Sequence, residues 1–133
     1  MSAEPKGVSK SAVLAIHERL LAEHGGAPGF LDEGRLDSAL ASPQNHFAHG
    51  EADFFRLAAA YAYAIARDHP FRDGNKRVAL TVAGVFLELN GFPLAAEESE
   101  AVSAMVALAE RNIDEQALTA WLRDACSRGP RRS

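Results

Sequence analysis

The chain has 133 residues, 47% of them hydrophobic, and this combination predicts one domain with a buried core. Its formal net charge of -4 argues against a protein that coats nucleic acid, because that task needs many lysines and arginines. The single cysteine excludes an internal disulfide and favours a cytoplasmic location. Neither a secretory signal nor a membrane span is expected, because the N-terminus is polar and the uncharged run at 78–87 is far shorter than the about 20 residues that cross a bilayer.

The first third of the chain predicts two amphipathic helices. Apolar residues recur at helical spacing after Ser9, and Gly25 and Gly26 end this first helix. Asp32 can cap a second helix, which Pro43 is expected to close. The residues that follow, 43–52, are interpreted as a loop that either guides a target protein or has no special role.

The middle of the chain predicts two buried helices joined by a charged turn. Residues 54–67 are apolar on nearly every side after the capping residue Asp53, and Pro70 forces the helix to end before it. The turn contains Asp73, Gly74 and Asn75. A second apolar helix then covers 76–89.

The last third predicts a helix at 98–111 and a final helix capped by Asp114, ending at Gly129. No strand-like alternation persists, so the predicted fold class is all-α, a compact bundle of about six helices with the active loop between the two central ones. The predicted division is a flexible N-terminus at 1–8, a single helical domain at 9–128 and a disordered basic tail at 129–133.

The turn between the central helices has the features of an anion site. Gly74 tolerates backbone angles that other residues resist, and the amides of 74–77 stand at the start of a helix, where the dipole favours negative charge. Two acids in this region, Asp68 and Asp73, are outnumbered by four basic residues, which are Arg67, Arg72, Lys76 and Arg77. A small anion such as a nucleotide fits this cationic spot.

Five side chains around the turn have complementary chemistry. Lys76 and Arg77 can pair with phosphate oxygens, and Asn75 can hydrogen-bond a phosphate or the water shell of a metal. Asp73 offers a hard oxygen for Mg²⁺. His69 is the candidate general base, because histidine is the side chain that accepts protons near neutral pH.

Several other residues in or near this turn are interpreted as structural. Phe71 is expected to anchor the turn in the core, and Arg72 to point away from the site as a surface charge. His17 lies on the apolar stripe of the first helix, which favours a satisfied core or interface histidine over a ligand. The remaining histidines lack metal-ligand spacing, so we expect no zinc site built by protein side chains alone.

The string HPFRDGNKR, residues 69–77, resembles the signature of the Fic/Doc family, and Lys76 after the asparagine resembles the Doc (death-on-curing) branch. The resemblance extends over 25–91. It implies an all-helical fold, ATP with Mg²⁺, and His69 as the catalytic base. It further implies that Asp73 holds the metal and that the phosphates are bound by Gly74, Asn75, Lys76 and Arg77.

The same resemblance implies a reaction and two partners. The adenylylating branch has a glycine and a second arginine where this chain has Lys76 and Leu80. The Doc branch instead transfers the terminal phosphate of ATP to a threonine of elongation factor Tu. No inhibitory-helix string of the Fic branch is present, so restraint would come from an antitoxin whose helical C-terminal segment docks in a groove near the site.

These observations favour the toxin of a type II toxin-antitoxin pair, acting as a protein phosphotransferase. An adenylyltransferase, which moves AMP to a protein hydroxyl, is the first alternative. A catalytically silent module that recognises phosphate is the second. A helix-turn-helix DNA binder is disfavoured by the net charge and by the apolar helix after the motif.

Overall fold

A computed structural model describes residues 4–93 and 114–127 of the chain, and this part is all-α, as predicted. Its five helices are α1 (Lys10–His24), α2 (Glu33–Ala48), α3 (Phe54–Asp68), α4 (Asn75–Leu89) and α5 (Glu115–Ser127). The described residues form no strand, only an isolated antiparallel bridge between Phe30 and Phe71. None of their helices has the length and apolarity needed to cross a membrane. The helix predicted at 98–111 and the predicted tail at 129–133 lie outside the described residues.

Side-chain caps begin four of these helices where the sequence predicted them. In each case a hydroxyl or carboxylate oxygen accepts a hydrogen bond from an amide in the first turn, which otherwise has no partner within the helix. The four bonds are Ala12 N–H to Ser9 (3.1 Å), Gly34 N–H to Asp32 (2.9 Å), Phe55 N–H to Asp53 (2.8 Å) and Ala117 N–H to Asp114 (2.9 Å).

Helix α3 is the centre of the bundle and packs against α2, α4 and α5. Neighbours on several sides explain why its sequence is apolar almost all round. Buried alanines on α3, such as Ala58, Ala59 and Ala62, leave room for the helices beside it to approach closely. Helix α4 contributes the facing layer of the core, including Val78, Val82 and Phe86.

The expected end of α2 at Pro43 is wrong. The helix continues through this proline to Ala48, so most of the predicted loop at 43–52 is helical. A proline inside a helix removes one hydrogen bond and its ring crowds the carbonyl four residues earlier. Here Pro43 itself is buried and Phe47, one turn later, packs against the core, so tertiary packing sustains the last turn.

The segment before α1 is bonded to the helical bundle. Val8 is buried, and its N–H donates to the Tyr61 hydroxyl at 3.1 Å. Lys6 exchanges two hydrogen bonds with the Asn90 side chain, at 2.9 and 3.0 Å. Contacts with the domain therefore begin before residue 9, where the predicted domain boundary lies.

Four helix termini meet at one end of the bundle. The loop after α1 touches the loop between α3 and α4, because Ala27 N–H donates to the Asp73 carboxylate at 2.8 Å. The start of α2 touches the end of α3, from which this loop continues, because the Arg35 guanidinium donates to the Asp68 carbonyl at 3.2 Å. This end of the bundle therefore carries the HPFRDGNKR segment and supports it from two sides.

Candidate active site

The loop begins with a strained backbone at His69. Helix α3 ends at Asp68, and His69 adopts left-handed angles (φ 51°, ψ 62°) while its N–H still donates to the Ile65 carbonyl at 3.1 Å. It is the one non-glycine residue with positive φ in the described part of the chain. Such angles are costly for residues other than glycine and concentrate at functional sites. The result is an imidazole that is exposed to solvent at the start of the loop.

The loop ends at Gly74, which is the N-cap of α4 and has left-handed angles (φ 83°, ψ 12°). No side chain caps this helix, and its first backbone bond runs from Val78 N–H to the Gly74 carbonyl at 2.9 Å. The backbone N–H groups of residues 75–77 therefore have no carbonyl partner within the helix. Free amides at a helix N-terminus attract an anion.

The side chain of Asn75 points into the protein. It is 8% exposed, its oxygen accepts from Phe71 N–H at 3.0 Å, and its nitrogen donates to the Phe71 carbonyl at 2.8 Å. This pair of bonds closes the loop on itself. The side chain expected to bind a phosphate or the water shell of a metal is thus already engaged with the loop. The backbone N–H of Asn75, in contrast, belongs to the first turn of α4, which has no side-chain cap.

Asp73 is held by two different elements. One carboxylate oxygen accepts from Ala27 N–H, and the Asp73 carbonyl lies 3.0 Å from His17 Nε2. The approach of the loop after α1 is close, because a Cβ at Gly26 would lie 3.1 Å from the Asp73 Cβ. Only glycine allows this contact at the φ of 127° that Gly26 adopts. Asp73 nevertheless remains exposed to solvent.

Three further hydrogen bonds connect the loop to the segment between α1 and α2. The Pro70 carbonyl accepts from Leu31 N–H and Asp32 N–H, at 2.8 and 3.1 Å, and Arg72 N–H donates to the Gly29 carbonyl at 3.2 Å. Phe71 is 1% exposed and stacks on two rings, those of His17 (centroids 3.8 Å apart) and Phe30 (5.4 Å). The core roles predicted for Phe71 and His17 are confirmed.

A shallow cavity of about 340 Å³ lies over the loop. Its lining contains three cationic side chains, those of Arg72, Lys76 and Arg77, and one carboxylate, that of Asp73. The Nε atom of Arg77 is buried and has no hydrogen-bond partner, the one such side-chain nitrogen or oxygen in the described part of the chain. A buried donor without a partner costs about 1–3 kcal/mol, so this atom suits a ligand that supplies an acceptor.

The six residues predicted from sequence for the site all border this cavity. Arg72 is exposed, but the expectation that it points away from the site is wrong, because it borders the same cavity. Sequence reasoning missed the contribution of Gly26, Ala27 and Phe30. The glycine pair at Gly25 and Gly26 is the available signal, although its local pattern predicts a helix stop and not a contact with Asp73. The chemical roles of the six residues stay predictions.

The cavity offers one carboxylate to a metal. Within residues 4–93 and 114–127, no three or more His, Cys, Asp or Glu side chains are grouped so that they could hold an ion by themselves. Mg²⁺ commonly keeps several waters and binds through one carboxylate together with phosphates of the substrate. The exposed Asp73 carboxylate therefore fits Mg²⁺ that arrives with a nucleotide.

A bundle of this kind, with a cationic loop between its two central helices, is the arrangement that the resemblance to Fic/Doc proteins implied. The Fic/DOC family profile matches residues 7–87, which include α1 to α3, the loop and most of α4. The chain belongs to the Fic/DOC family.

Two relatives have been identified at the level of individual proteins. Over 85 residues the chain is 39% identical to the protein kinase doc of Escherichia phage P1, an alignment that covers 63% of this chain and 68% of that protein. Over 103 residues it is also 39% identical to the toxin Doc of Mycolicibacterium smegmatis, covering 74% of this chain and 78% of that protein. Both alignments exceed two thirds of the relative's length.

Proposed function

We propose that this chain is the toxin of a type II toxin-antitoxin pair and a protein phosphotransferase that uses ATP and Mg²⁺. The observation that carries the proposal is the uncapped N-terminus of α4, which opens into a cationic cavity beside the exposed imidazole of His69. The names of the two relatives, a protein kinase and a toxin, support the same assignment.

The nucleotide phosphates would be held by main chain and side chain together. The amides of Gly74, Asn75, Lys76 and Arg77 face an anion without competition from a capping side chain. Lys76 adds charge, and Arg77 has a donor that lacks a partner in the protein. Asp73 would hold Mg²⁺, which when bound neutralises charge on the phosphates.

His69 would act on the target hydroxyl. Its imidazole accepts the hydroxyl proton as the oxygen forms a bond to the terminal phosphorus of ATP. The bond from that phosphorus to the oxygen bridging to ADP breaks, and ADP leaves with the electron pair. The left-handed backbone at His69 places the ring at the end of α3, where a protein substrate can reach it.

The environment of Leu80 favours phosphate transfer over AMP transfer. The resemblance to the Fic/Doc family implies an arginine at this position in the adenylylating branch. Leu80 is 3% exposed and belongs to the apolar core. An anchor for the far phosphates is therefore absent here, and its place is filled by core packing. This favours the reverse nucleotide orientation, in which the terminal phosphate faces the target.

The proposed target is a Ser or Thr hydroxyl of a translation factor, elongation factor Tu in the first instance. The proposed regulator is an antitoxin whose C-terminal helix docks near the site. The decisive experiment incubates the purified chain with Mg-ATP and elongation factor Tu and measures the intact mass of the target. We expect the gain of one phosphate, whereas a gain of AMP would establish adenylylation instead.

Two variants make this experiment specific. His69→Ala should abolish the mass gain, because the proton acceptor is lost. His46→Ala is the matched control, because His46 is also an exposed histidine but pairs with Glu115 at the other end of α2. Toxicity and binding that survive His69→Ala but not Arg77→Ala would favour the silent binding module.

A further inference from the structure

His17 is a buried polar side chain that the proposed reaction does not use directly. It lies on α1, is 6% exposed, and stacks on Phe71 with ring centroids 3.8 Å apart and planes inclined by 14°. Its Nε2 lies 3.0 Å from the backbone carbonyl oxygen of Asp73. A histidine on a different helix, 56 residues away in sequence, thus touches the residue that precedes the N-cap of α4.

The partner of this hydrogen bond determines which nitrogen carries the proton. A carbonyl oxygen only accepts, so Nε2 of His17 must be the donor. The bond fixes the direction of the Asp73 carbonyl, which points at the His17 ring. Stacking on Phe71 holds the ring itself in place, and the loop is then fastened to α1 by both a polar and an aromatic contact.

The direction of that carbonyl fixes the direction of an amide. In a planar trans peptide the C=O and the N–H point in opposite directions, so the N–H of Gly74 is turned away from His17. Gly74 borders the cavity that contains Lys76 and Arg77. The site that a Cβ would occupy at Gly74 lies 3.8 Å from Cδ2 of His17, so the imidazole lies beside this residue.

We infer that His17 is a positioning residue, whose Nε2–H fixes the peptide between Asp73 and Gly74 so that the Gly74 amide faces the bound phosphate. The inference rests on the proposed function for the identity of the anion as a phosphate of ATP. The donated hydrogen bond also polarises the peptide, which strengthens Gly74 N–H as a donor. His17 does this without touching the nucleotide.

Two substitutions separate the hydrogen bond from the ring. His17→Phe keeps an aromatic ring for the stack with Phe71 but removes the donor. His17→Gln keeps a side-chain N–H near the position of Nε2 but removes the ring. We expect His17→Phe to weaken binding of inorganic phosphate about tenfold, the effect of roughly one hydrogen bond, and His17→Gln to recover part of this loss.

Binding is measured by titrating the nitrogen-15-labelled protein with inorganic phosphate and following amide resonances by NMR. The Gly74 amide should shift on titration in the parent and much less in His17→Phe. In transfer assays His17→Phe should raise KM for ATP and lower kcat, whereas a variant that merely lost stability would recover both at lower temperature. Equal phosphate affinity and an equal Gly74 shift in parent and His17→Phe would overturn the inference.

A measurement on the parent protein guards against variants that do not fold. Long-range proton–nitrogen NMR spectra report which ring nitrogen of His17 is protonated. We expect a proton on Nε2, and a neutral ring protonated only at Nδ1 would refute the role. The two proposals also fail differently. Phosphate binding that depends on His17 without any transfer to a protein would refute only the phosphotransferase, and transfer that is indifferent to His17→Phe would refute only the positioning role.

Discussion

Asn75 shows how a residue of the signature segment can serve the loop through its side chain and the ligand through its backbone. The side-chain amide of Asn75 forms hydrogen bonds with both the N–H and the carbonyl of Phe71, four residues earlier. The two bonds replace what a regular helix would provide at this position and keep the loop tightly folded. The amide N–H of Asn75 remains available at the start of α4.

Asn75→Ala should therefore destabilise the fold. The N–H and carbonyl of Phe71 would lose their partners in a buried place, at a cost of about 2–3 kcal/mol in the free energy of unfolding. Urea denaturation followed by circular dichroism measures this cost. The control is Asn45→Ala on the exposed surface of α2, which should change stability little. Unchanged stability with weakened ATP binding would instead assign the Asn75 side chain to the ligand.

Arg77 presents the opposite case, a side chain with a donor that nothing in the described protein satisfies. Arg77→Lys keeps the charge but removes Nε and the planar fork of donors. We expect the dissociation constant for Mg-ATP, measured by calorimetry, to rise about tenfold. Arg72→Lys is the matched control, because Arg72 is exposed at the edge of the same cavity. The affinity of this variant for Mg-ATP should stay near that of the parent.

The burial of some side chains in and around this loop could be predicted from the sequence, whereas the contacts of others could not. Helical periodicity identified the buried face on which His17 lies, and the apolar side chain of Phe71 indicated core packing. The direction of the Asn75 side chain could not be predicted, because its partners are backbone atoms in a turn without repeating geometry. The Asp73–Ala27 contact joins residues 46 apart in sequence, and no local pattern records such a pairing.

At the level of whole elements, helix starts were predicted better than helix ends. A cap depends on one side chain and its own first turn, so Asp32, Asp53 and Asp114 indicated three starts correctly. Whether a proline ends a helix depends on what surrounds it. Pro43 is buried beside α3, and the packing of the turn after it outweighs the missing hydrogen bond.

Helix α3 is joined to α5 through its own cap. One carboxylate oxygen of Asp53 accepts from Phe55 N–H, and the other pairs with the Arg123 guanidinium, which also lies over the Phe55 ring at 5.3 Å. Asp53→Ala removes the cap and the ion pair and should lower the free energy of unfolding by about 1–2 kcal/mol. Thermal and urea unfolding both report the change.

The matched variant Asp53→Asn keeps an oxygen that can cap α3 but removes the negative charge that forms the ion pair with Arg123. It should cost less than Asp53→Ala, because Arg123 is about half exposed (49%) and exposed ion pairs add little stability. If the two variants lose the same stability, the contact with Arg123 rather than the cap fixes the start of α3.

Across the whole molecule, the segment before α1 ties two central helices together. Val8 bonds Tyr61 on α3, and Lys6 bonds Asn90 at the end of α4. The sequence could not predict this, because residues 4–8 have no periodicity and their partners lie 53 and 84 residues away. The consequence is that the Tyr61 hydroxyl is buried inside the fold rather than at its surface.

Burial raises the pKa of Tyr61 above its ordinary 10.0, and the N–H of Val8, which favours the ionised form, offsets this only in part. A group whose pKa is higher in the folded state stabilises the fold fully below its unfolded pKa. That contribution disappears as the pH rises through the folded pKa. Alkaline conditions should therefore unfold the protein partly by ionising Tyr61.

Tyr61→Phe tests this directly. The variant should lose about 1 kcal/mol at neutral pH, because Val8 N–H loses its acceptor, and its stability should then fall less steeply than that of the parent above about pH 9. Urea unfolding at a series of pH values measures how stability changes with pH in the parent and in Tyr61→Phe.

Two other groups also have raised pKa values. Burial raises the pKa of Cys126, and hydrogen bonds to Glu33 and Asp37 raise the pKa of Lys10. The parent and Tyr61→Phe share these groups, so their contributions cancel in the difference. Parallel slopes for the parent and Tyr61→Phe would show that the Tyr61 hydroxyl does not control alkaline stability.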